Sequence, residues 1–296
     1  MIKPFLSSWL KRSTSEPTFL IYAFPYTHRS SGVRALYRLC HHLNTSGYSA
    51  AILLNEPTTT PGLSGWNTPI HTGAVGDSIV VYPEVVSGNP FQAKKVIRWA
   101  LNNPGLLGGD KTYSENEMVF VYDPQRLTIV NQAVTTPLNP SRVLWMGLVD
   151  PTHIYPDPRV PKTIDCSFTH KGHALRTQYP LPDHTPILPL ETLTPNMAAL
   201  GDTLRRTRML YSYDHYSNVL REAAICGCEI RVMGEDGLWH DPLSCDCTCN
   251  ILWSPHFKET YAKQFHDASF IHGFIREVET RFAVPKPSRI KFWKCL

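Results

Sequence analysis

No stretch of this chain approaches the roughly 20 consecutive apolar residues that a helix needs to cross a bilayer. No low-complexity tract interrupts it either. Charge is sparse: 29 Lys and Arg against 25 Asp and Glu leave a formal charge of +4. So mild an excess neither demands nor excludes an anionic partner. Asp-x-Asp is absent, which removes the simplest paired carboxylates for holding a divalent ion on a diphosphate. Gly-x-Gly-x-x-Gly is absent too. After the first apolar run the chain reads Ser30-Ser31-Gly32-Val33-Arg34, which argues against a dinucleotide-dependent oxidoreductase. The first residues, Met1 to Ser13, carry Lys3, Lys11 and Arg12 around a short apolar patch. They lack an apolar h-region and a cleavage site, so a cytoplasmic protein is expected. Of the eight cysteines, Cys226 and Cys228 form one Cys-x-Cys, and Cys245, Cys247 and Cys249 a tighter cluster. Structural zinc sites use wider spacings, so these thiols are read as packing or free groups, with no metal and no cofactor expected.

The 25 prolines are many, and they crowd between residues 124 and 195, predicting connections rather than long helices. Before that region the chain alternates. Thr18 to Phe24 is a β-rich run of strand length. Past Gly32, the apolar residues Val33, Leu36, Tyr37, Cys40 and Leu43 recur at helical spacing, and Gly47 ends the helix. Tyr48 to Leu54 is the next strand, so a right-handed βαβ unit opens the fold. Ser78 to Tyr82 is another strand, and Asn89-Pro90 starts a predicted helix through Ala93, Val96, Ile97 and Ala100. Met118 to Tyr122, Leu127 to Val130 and Val143 to Leu148 read as strands. The proline-rich, aperiodic stretch Val149 to Lys162 marks a junction between units of residues 1–155 and 156–296. The second unit repeats the alternation. Strands are predicted at 163–169, 186–190, 208–213 and 228–233, helices at 195–205 and 217–226, and a long closing helix over 259–282. Fold class is therefore α/β, with two Rossmann-like domains facing across a cleft.

Three segments carry candidate chemistry. In the run YSYDHYSNVLREAAICGCEIRVM, Asp214 ends a strand and Glu222 follows eight residues later inside a helix for which Ser217 is a candidate cap. The first turn of that helix offers free amides and a positive dipole end. Carboxylates suit sugar and ribose hydroxyls because they accept several hydrogen bonds. An acidic pair at this spacing is equally a common helix edge. His170-Lys171-Gly172-His173 follows directly on the strand 163–169, and Lys171 there is either an anion-holding cation or a surface lysine in a glycine turn. At the carboxyl end of the strand 78–82, Glu84 and Asn89 are polar groups on the amino-terminal side. Asn89 reads more simply as a helix cap, and His28 is the remaining candidate on that side.

Glu/Asp-x7-Glu followed by a small-residue helix and Cys226-Gly227-Cys228 resembles the donor-binding signature of retaining GT-B glycosyltransferases. The chain departs from it in carrying Asp214 where the family more often has Glu, and His215-Tyr216-Ser217 in place of a Gly-rich stretch. The resemblance implies a hexosyl- or pentosyltransferase using a nucleotide-diphosphate sugar as co-substrate, without a metal and with retention. Asp214 would contact the transferred sugar and Glu222 the nucleotide ribose. Lys171, with Arg176 as a second cation, would neutralise the pyrophosphate, and Gly32 would let the backbone approach while Arg34 reaches an anionic group. The expected donor side is thus Gly32, Arg34, Lys171, Gly172, Arg176, Asp214, Tyr216, Ser217, Asn218 and Glu222, with Lys171 and Asp214 catalytic. The expected acceptor side is His28, Glu84 and Asn89. The acceptor stays open between a cell-surface glycan and a hydroxymethylated base in phage DNA. A non-catalytic nucleotide or carbohydrate binder on the same scaffold is the other reading. Lys286, Arg289, Lys291 and Lys294 form a basic tail that can touch phosphate or a membrane surface.

Overall fold

The structure is a computed structural model that describes residues 16–56, 65–183, 186–242 and 256–285. The basic tail and Cys245, Cys247 and Cys249 lie outside the described residues.

The first sheet is built from β1 (Phe19–Ala23), α1 (Ser31–Thr45), β2 (Ala50–Leu54), β3 (Ile70–His71), β4 (Ile79–Pro83), β5 (Lys95–Ala100) and β6 (Glu117–Val121), with a short α2 (Arg126–Val130) behind it. Strand order is β3-β2-β1-β4-β5-β6 and every pairing is parallel. This is the order of a dinucleotide-type doubly wound sheet, in which ligands sit beyond the carboxyl ends of the strands. Ser30 caps α1 through its hydroxyl, which accepts from the Val33 amide. The buried face of α1, including Leu36, Leu39 and Leu43, packs on Phe19, Ile21 and Ile97. Each such side chain contributes about 1.5–3 kcal/mol on full burial.

The second sheet comprises β7 (Ile164–Phe168), α3 (His173–Gln178), β8 (Ile187–Pro189), α4 (Leu190–Leu193), α5 (Met197–Arg206), β9 (Thr207–Ser212), α6 (Val219–Ile225), β10 (Glu229–Met233) and β11 (Trp239–His240). Its order is β11-β10-β9-β7-β8, parallel except for the β10–β11 pair. Two helices follow, α7 (Phe257–His266) and α8 (Phe270–Glu279). Phe257 and Tyr261 of α7 pack on the second core. In contrast, α8 returns to the first sheet, where Phe274 lies 5.1 Å from Phe120 and 5.9 Å from Phe19 between ring centroids. The chain is thus an α/β protein of two Rossmann-like sheets, stitched together by its last helices.

Four expectations are corrected. The helix predicted through Ala93, Val96, Ile97 and Ala100 is strand β5. Its helical spacing is real, but Val96 to Ala100 are all buried between β4 and β6, and sheet pairing overrides the period. Arg98 is the clearest sign, because it is fully buried and donates to Glu117, Val86 O and Gly88 O. The strand expected at 127–130 is helix α2, started by Asp123, whose carboxylate accepts from the amides of Gln125 and Arg126. Residues 143–148 form no strand beyond one bridge from Val143 to Val121, although Leu144 and Met146 still fill the first core. The helix expected over 259–282 breaks at Asp267, whose backbone is extended and whose carboxylate accepts from the Ser269 amide.

Candidate functional site

A cavity of about 330 Å³ opens where the two sheets meet, within the size range of small-molecule sites. The first half supplies Phe24 beyond β1, Pro83 and Glu84 at the end of β4, Leu101 and Asn102 beyond β5, Tyr122 and Arg126 beyond β6, and the first turn of α1. The second half supplies Lys171 and Tyr216. This is the carboxyl-end crevice that a doubly wound sheet reserves for ligands.

Lys171 sits on a loop braced from two sides. Glu191 Oε1 accepts from the amides of Thr169 at 2.7 Å and His170 at 3.1 Å. Asp214 Oδ2 accepts from the Lys171 amide at 3.4 Å. The same Asp214 carboxylate accepts through Oδ1 from Tyr216 N at 2.7 Å and Ser217 N at 3.1 Å, so one buried acid fixes both loops that reach the cavity. Gly172 completes the bracing. A Cβ there would stand 2.1 Å from Tyr213 O, so only glycine lets this loop lie on the end of β9. His170 takes a left-handed backbone, φ +35°, and stacks on Phe168. Burial pushes its pKa down, and Lys171 adds to that while Asp214 opposes it.

Facing these loops, Ser31 and Gly32 in the first turn of α1 line the cavity. They bring a positive dipole end and orphan amides. A Cβ at Gly32 would meet Leu101 Cδ1 at 3.5 Å, an ordinary van der Waals contact, so the position has room for a methyl group. Glu84 is 3% exposed, and its Oε2 accepts from Leu101 N at 3.0 Å. Burial raises its pKa, opposed by the Leu101 amide and the charges of Arg126 and Lys171. Arg126 is held by Asp123 Oδ2 at 2.6 Å and Leu101 O at 3.1 Å. Asp123 therefore offsets the Arg126 charge, and Lys171 and the amino end of α1 are the positive groups that share the wall with Glu84.

The structure therefore gathers Gly32, Glu84, Lys171 and Tyr216 around one cavity, with Gly172, Asp214 and Ser217 in the loops behind. Arg34 and Glu222 meet elsewhere along the junction. Arg34 Nη1 donates to Glu222 Oε1 at 2.6 Å, with side chains 4% and 0% exposed. Burial works against the Arg34 charge, but the Glu222 carboxylate more than offsets it, and the guanidinium pKa rises. Asn218 gives its amide to Ser31 Oγ at 3.2 Å, so the amino end of α6 is joined to that of α1. His28 is buried at the junction near Thr194, with Nε2 unpartnered and its pKa lowered by burial and by Arg29. Asn89 stands apart, accepting from Tyr82 OH at 3.0 Å and from Ala93 N at 2.9 Å. Arg176 lies over the ring of Tyr213, outside the cavity. Arg29, Arg126 and Glu191 were not foreseen. Arg29 crosses the junction to the carbonyls of Glu191 and Thr194. The signals were thin: an arginine before the Ser30 cap, another closing an Asp-Pro turn, and a lone glutamate in a proline-rich stretch.

Fold and site together define a two-sheet α/β protein with a crevice between its halves that Lys171, Arg126 and Glu84 line. No protein-family model matches the chain, and no curated protein matches it. Among solved structures, it is similar to WaaG, a glycosyltransferase involved in lipopolysaccharide biosynthesis. The two are 10% identical with a TM-score of 0.46, over 88% of this chain and 94% of that one. Among the described residues, no helix is long and apolar enough to cross a membrane, and no group of three His, Cys, Asp or Glu is placed to hold a metal.

Proposed function

We propose that the protein transfers a hexosyl or pentosyl group from a nucleotide-diphosphate donor to a hydroxyl acceptor. One observation carries this reading: Lys171, braced by Glu191 and Asp214, shares a cavity with the amino end of α1 and a buried acid, Glu84. Departure of a nucleoside diphosphate builds negative charge, and a fixed cation with helix amides stabilises it without a metal. Glu84 orients the acceptor hydroxyl from the opposite half. Asp214 acts first as a brace for the two loops, and it meets the sugar only by sharing its carboxylate between amides and hydroxyls. Glu222 meets a ribose only if Arg34 releases it. Retention, as the resemblance implies, follows from front-face attack, in which the departing phosphate oxygen takes the acceptor proton. A glycan acceptor fits the cavity better than a base in duplex DNA, since among the described residues Lys171 and Arg126 are the cations on its wall.

The test is a thermal-shift screen of UDP-, GDP-, ADP- and CMP-sugars, followed by assay of nucleotide release with an acceptor panel. Binding of one donor at 100 times its Kd stabilises the fold by about 2.7 kcal/mol. No shift with any donor overturns the reading, and a shift without turnover points to a non-catalytic binder.

A further inference from the structure

A second cavity, of about 500 Å³, lies at the outer edge of the first sheet and shares no lining residue with the crevice. β6 is the edge strand there. This cavity takes in Glu117 to Val119 at the amino end of β6, whereas the crevice takes in Tyr122 and Arg126 beyond its carboxyl end. The connection 134–139 forms the outer wall, and the chain regains the sheet only at the bridge from Val143 to Val121.

Backbone geometry leaves an unmet demand on the cavity floor. Tyr122 N donates to Ala100 O, and Leu144 N donates to Val121 O. The even residues of β6 therefore bond to β5 and the odd ones face outward. Glu117 N donates to Ser114 O, and Glu117 O accepts from Arg281 Nη1. Val119 is 4% exposed, and among the described residues its outward N–H and C=O have no hydrogen-bond partner. A buried backbone donor and acceptor of this kind call for water or a ligand.

The charges around the cavity cancel. Arg98 grips Glu117 through two bonds of 3.0 Å, and Glu277 holds Arg142 at 3.0 Å. Arg281 and the exposed Glu115 remain, one of each sign. Hydroxyl and amide groups supply the rest of the polar wall, from Ser114, Thr135, Thr136 and Asn139. Such groups both donate and accept, so they suit a ligand that does the same. An anion would meet Glu115 without a net positive wall, and an apolar ligand would strand the hydroxyls and the Val119 amide.

We propose that this cavity is a binding site for a neutral polyhydroxylated ligand, a mono- or disaccharide. Val119 pairs with ligand hydroxyls at the floor, Thr135 and Thr136 bond from the wall, and Val134 and Leu138 pack on the C–H faces. The site goes beyond the glycosyl-transfer reading and does not depend on it.

The experiment titrates the isotope-labelled full chain with glucose, N-acetylglucosamine, maltose and inorganic sulfate, followed by amide NMR. At least one sugar should shift the amides of Val119 and of residues 134–139 saturably, and sulfate should not. Thr135→Val combined with Thr136→Val removes two hydroxyls at exposed positions and should weaken that sugar about tenfold or more. Thr152→Val, exposed and outside the cavity, should leave it unchanged. No saturable shift with any sugar, an undiminished double variant, or sulfate binding in place of sugar overturns the inference. Sugar shifts confined to the crevice around Lys171 overturn it too. A nucleotide-sugar thermal shift on the same protein keeps the two readings apart. A donor shift with no sugar at this cavity rejects the second site alone. Sugar binding here with no donor shift rejects glycosyl transfer and leaves the site standing.

Discussion

Replacing Glu222 by alanine isolates a buried charge, and the structure sets the size of the effect. Arg34 and Glu222 meet at 2.6 Å with almost no solvent access. Glu222 Oε2 has no partner, and beyond Arg34 only Asn218, at 3.5 Å, approaches Oε1. Without the carboxylate, that Arg34 nitrogen keeps only the Met197 sulfur at 3.5 Å. Removing one member of such a pair costs about 3–5 kcal/mol, chiefly because the other charge is left buried alone. Near 60 °C the unfolding entropy is about 2.1 cal/mol/K per residue. For 296 residues this makes about 0.6 kcal/mol/K, and Tm should drop by about 5–8 °C. The double variant Arg34→Met with Glu222→Leu should recover most of the loss, because neither charge then remains. Thermal and urea unfolding followed by circular dichroism measure both. A Glu222→Ala protein within about 1 kcal/mol of the parent refutes the reasoning, as does a double variant no better than the single one.

Further outcomes rest on other contacts. Gly172→Ala forces a methyl group to within 2.1 Å of Tyr213 O, and overpacking of this kind costs about 1–3 kcal/mol in urea unfolding. His42 is buried and its Nε2 lies 2.9 Å from Arg38 Nη2, an arrangement that needs a neutral ring accepting from the guanidinium. Burial and Arg38 push its pKa down to about 4. An unfolded histidine takes its proton near the ordinary value of 6.5. Between pH 6.5 and about 4 the unfolded chain therefore binds more protons at this position, and stability falls as pH falls. His42→Gln should flatten that slope in unfolding measured from pH 7 to pH 4.5, and an unchanged slope rejects the assignment. Because burial raises the Glu84 pKa, turnover should decline on the acid side at a pH above the ordinary carboxylate range. Glu84→Gln should raise acceptor KM about tenfold or more, the loss of one charge-assisted hydrogen bond, and should remove that acid limb.

The sequence disclosed its strands better than its connections. The segments 19–23, 50–54 and 79–83 were legible because short continuous apolar runs of strand length bounded by polar loops have few other uses. β5 was misread because Ala93, Val96, Ile97 and Ala100 satisfy a helical period by accident. Only the neighbouring strands decide between the two, and a local pattern does not contain them. Lys171, Asp214 and Glu84 were singled out because each follows a strand end, with the resemblance behind the first two, and the structure puts Lys171 and Glu84 on one cavity wall with Asp214 bracing the loop behind. Partners were not legible. That Arg34 takes Glu222 depends on how the two sheets meet, while the hold of Glu191 on the Lys171 loop and the place of Arg126 on the cavity wall depend on how each half packs its own loops. Charge pairs across more than 150 residues leave no spacing to read.

The most direct test of the account is single-turnover release of nucleoside diphosphate by the parent protein and by Lys171→Ala, using whichever donor the thermal-shift screen selects. If Lys171 stabilises the departing diphosphate, the variant should be slower by about 100-fold or more, with Tm unchanged because the side chain is exposed. A Lys171→Ala protein that releases the nucleotide at the parental rate contradicts the account.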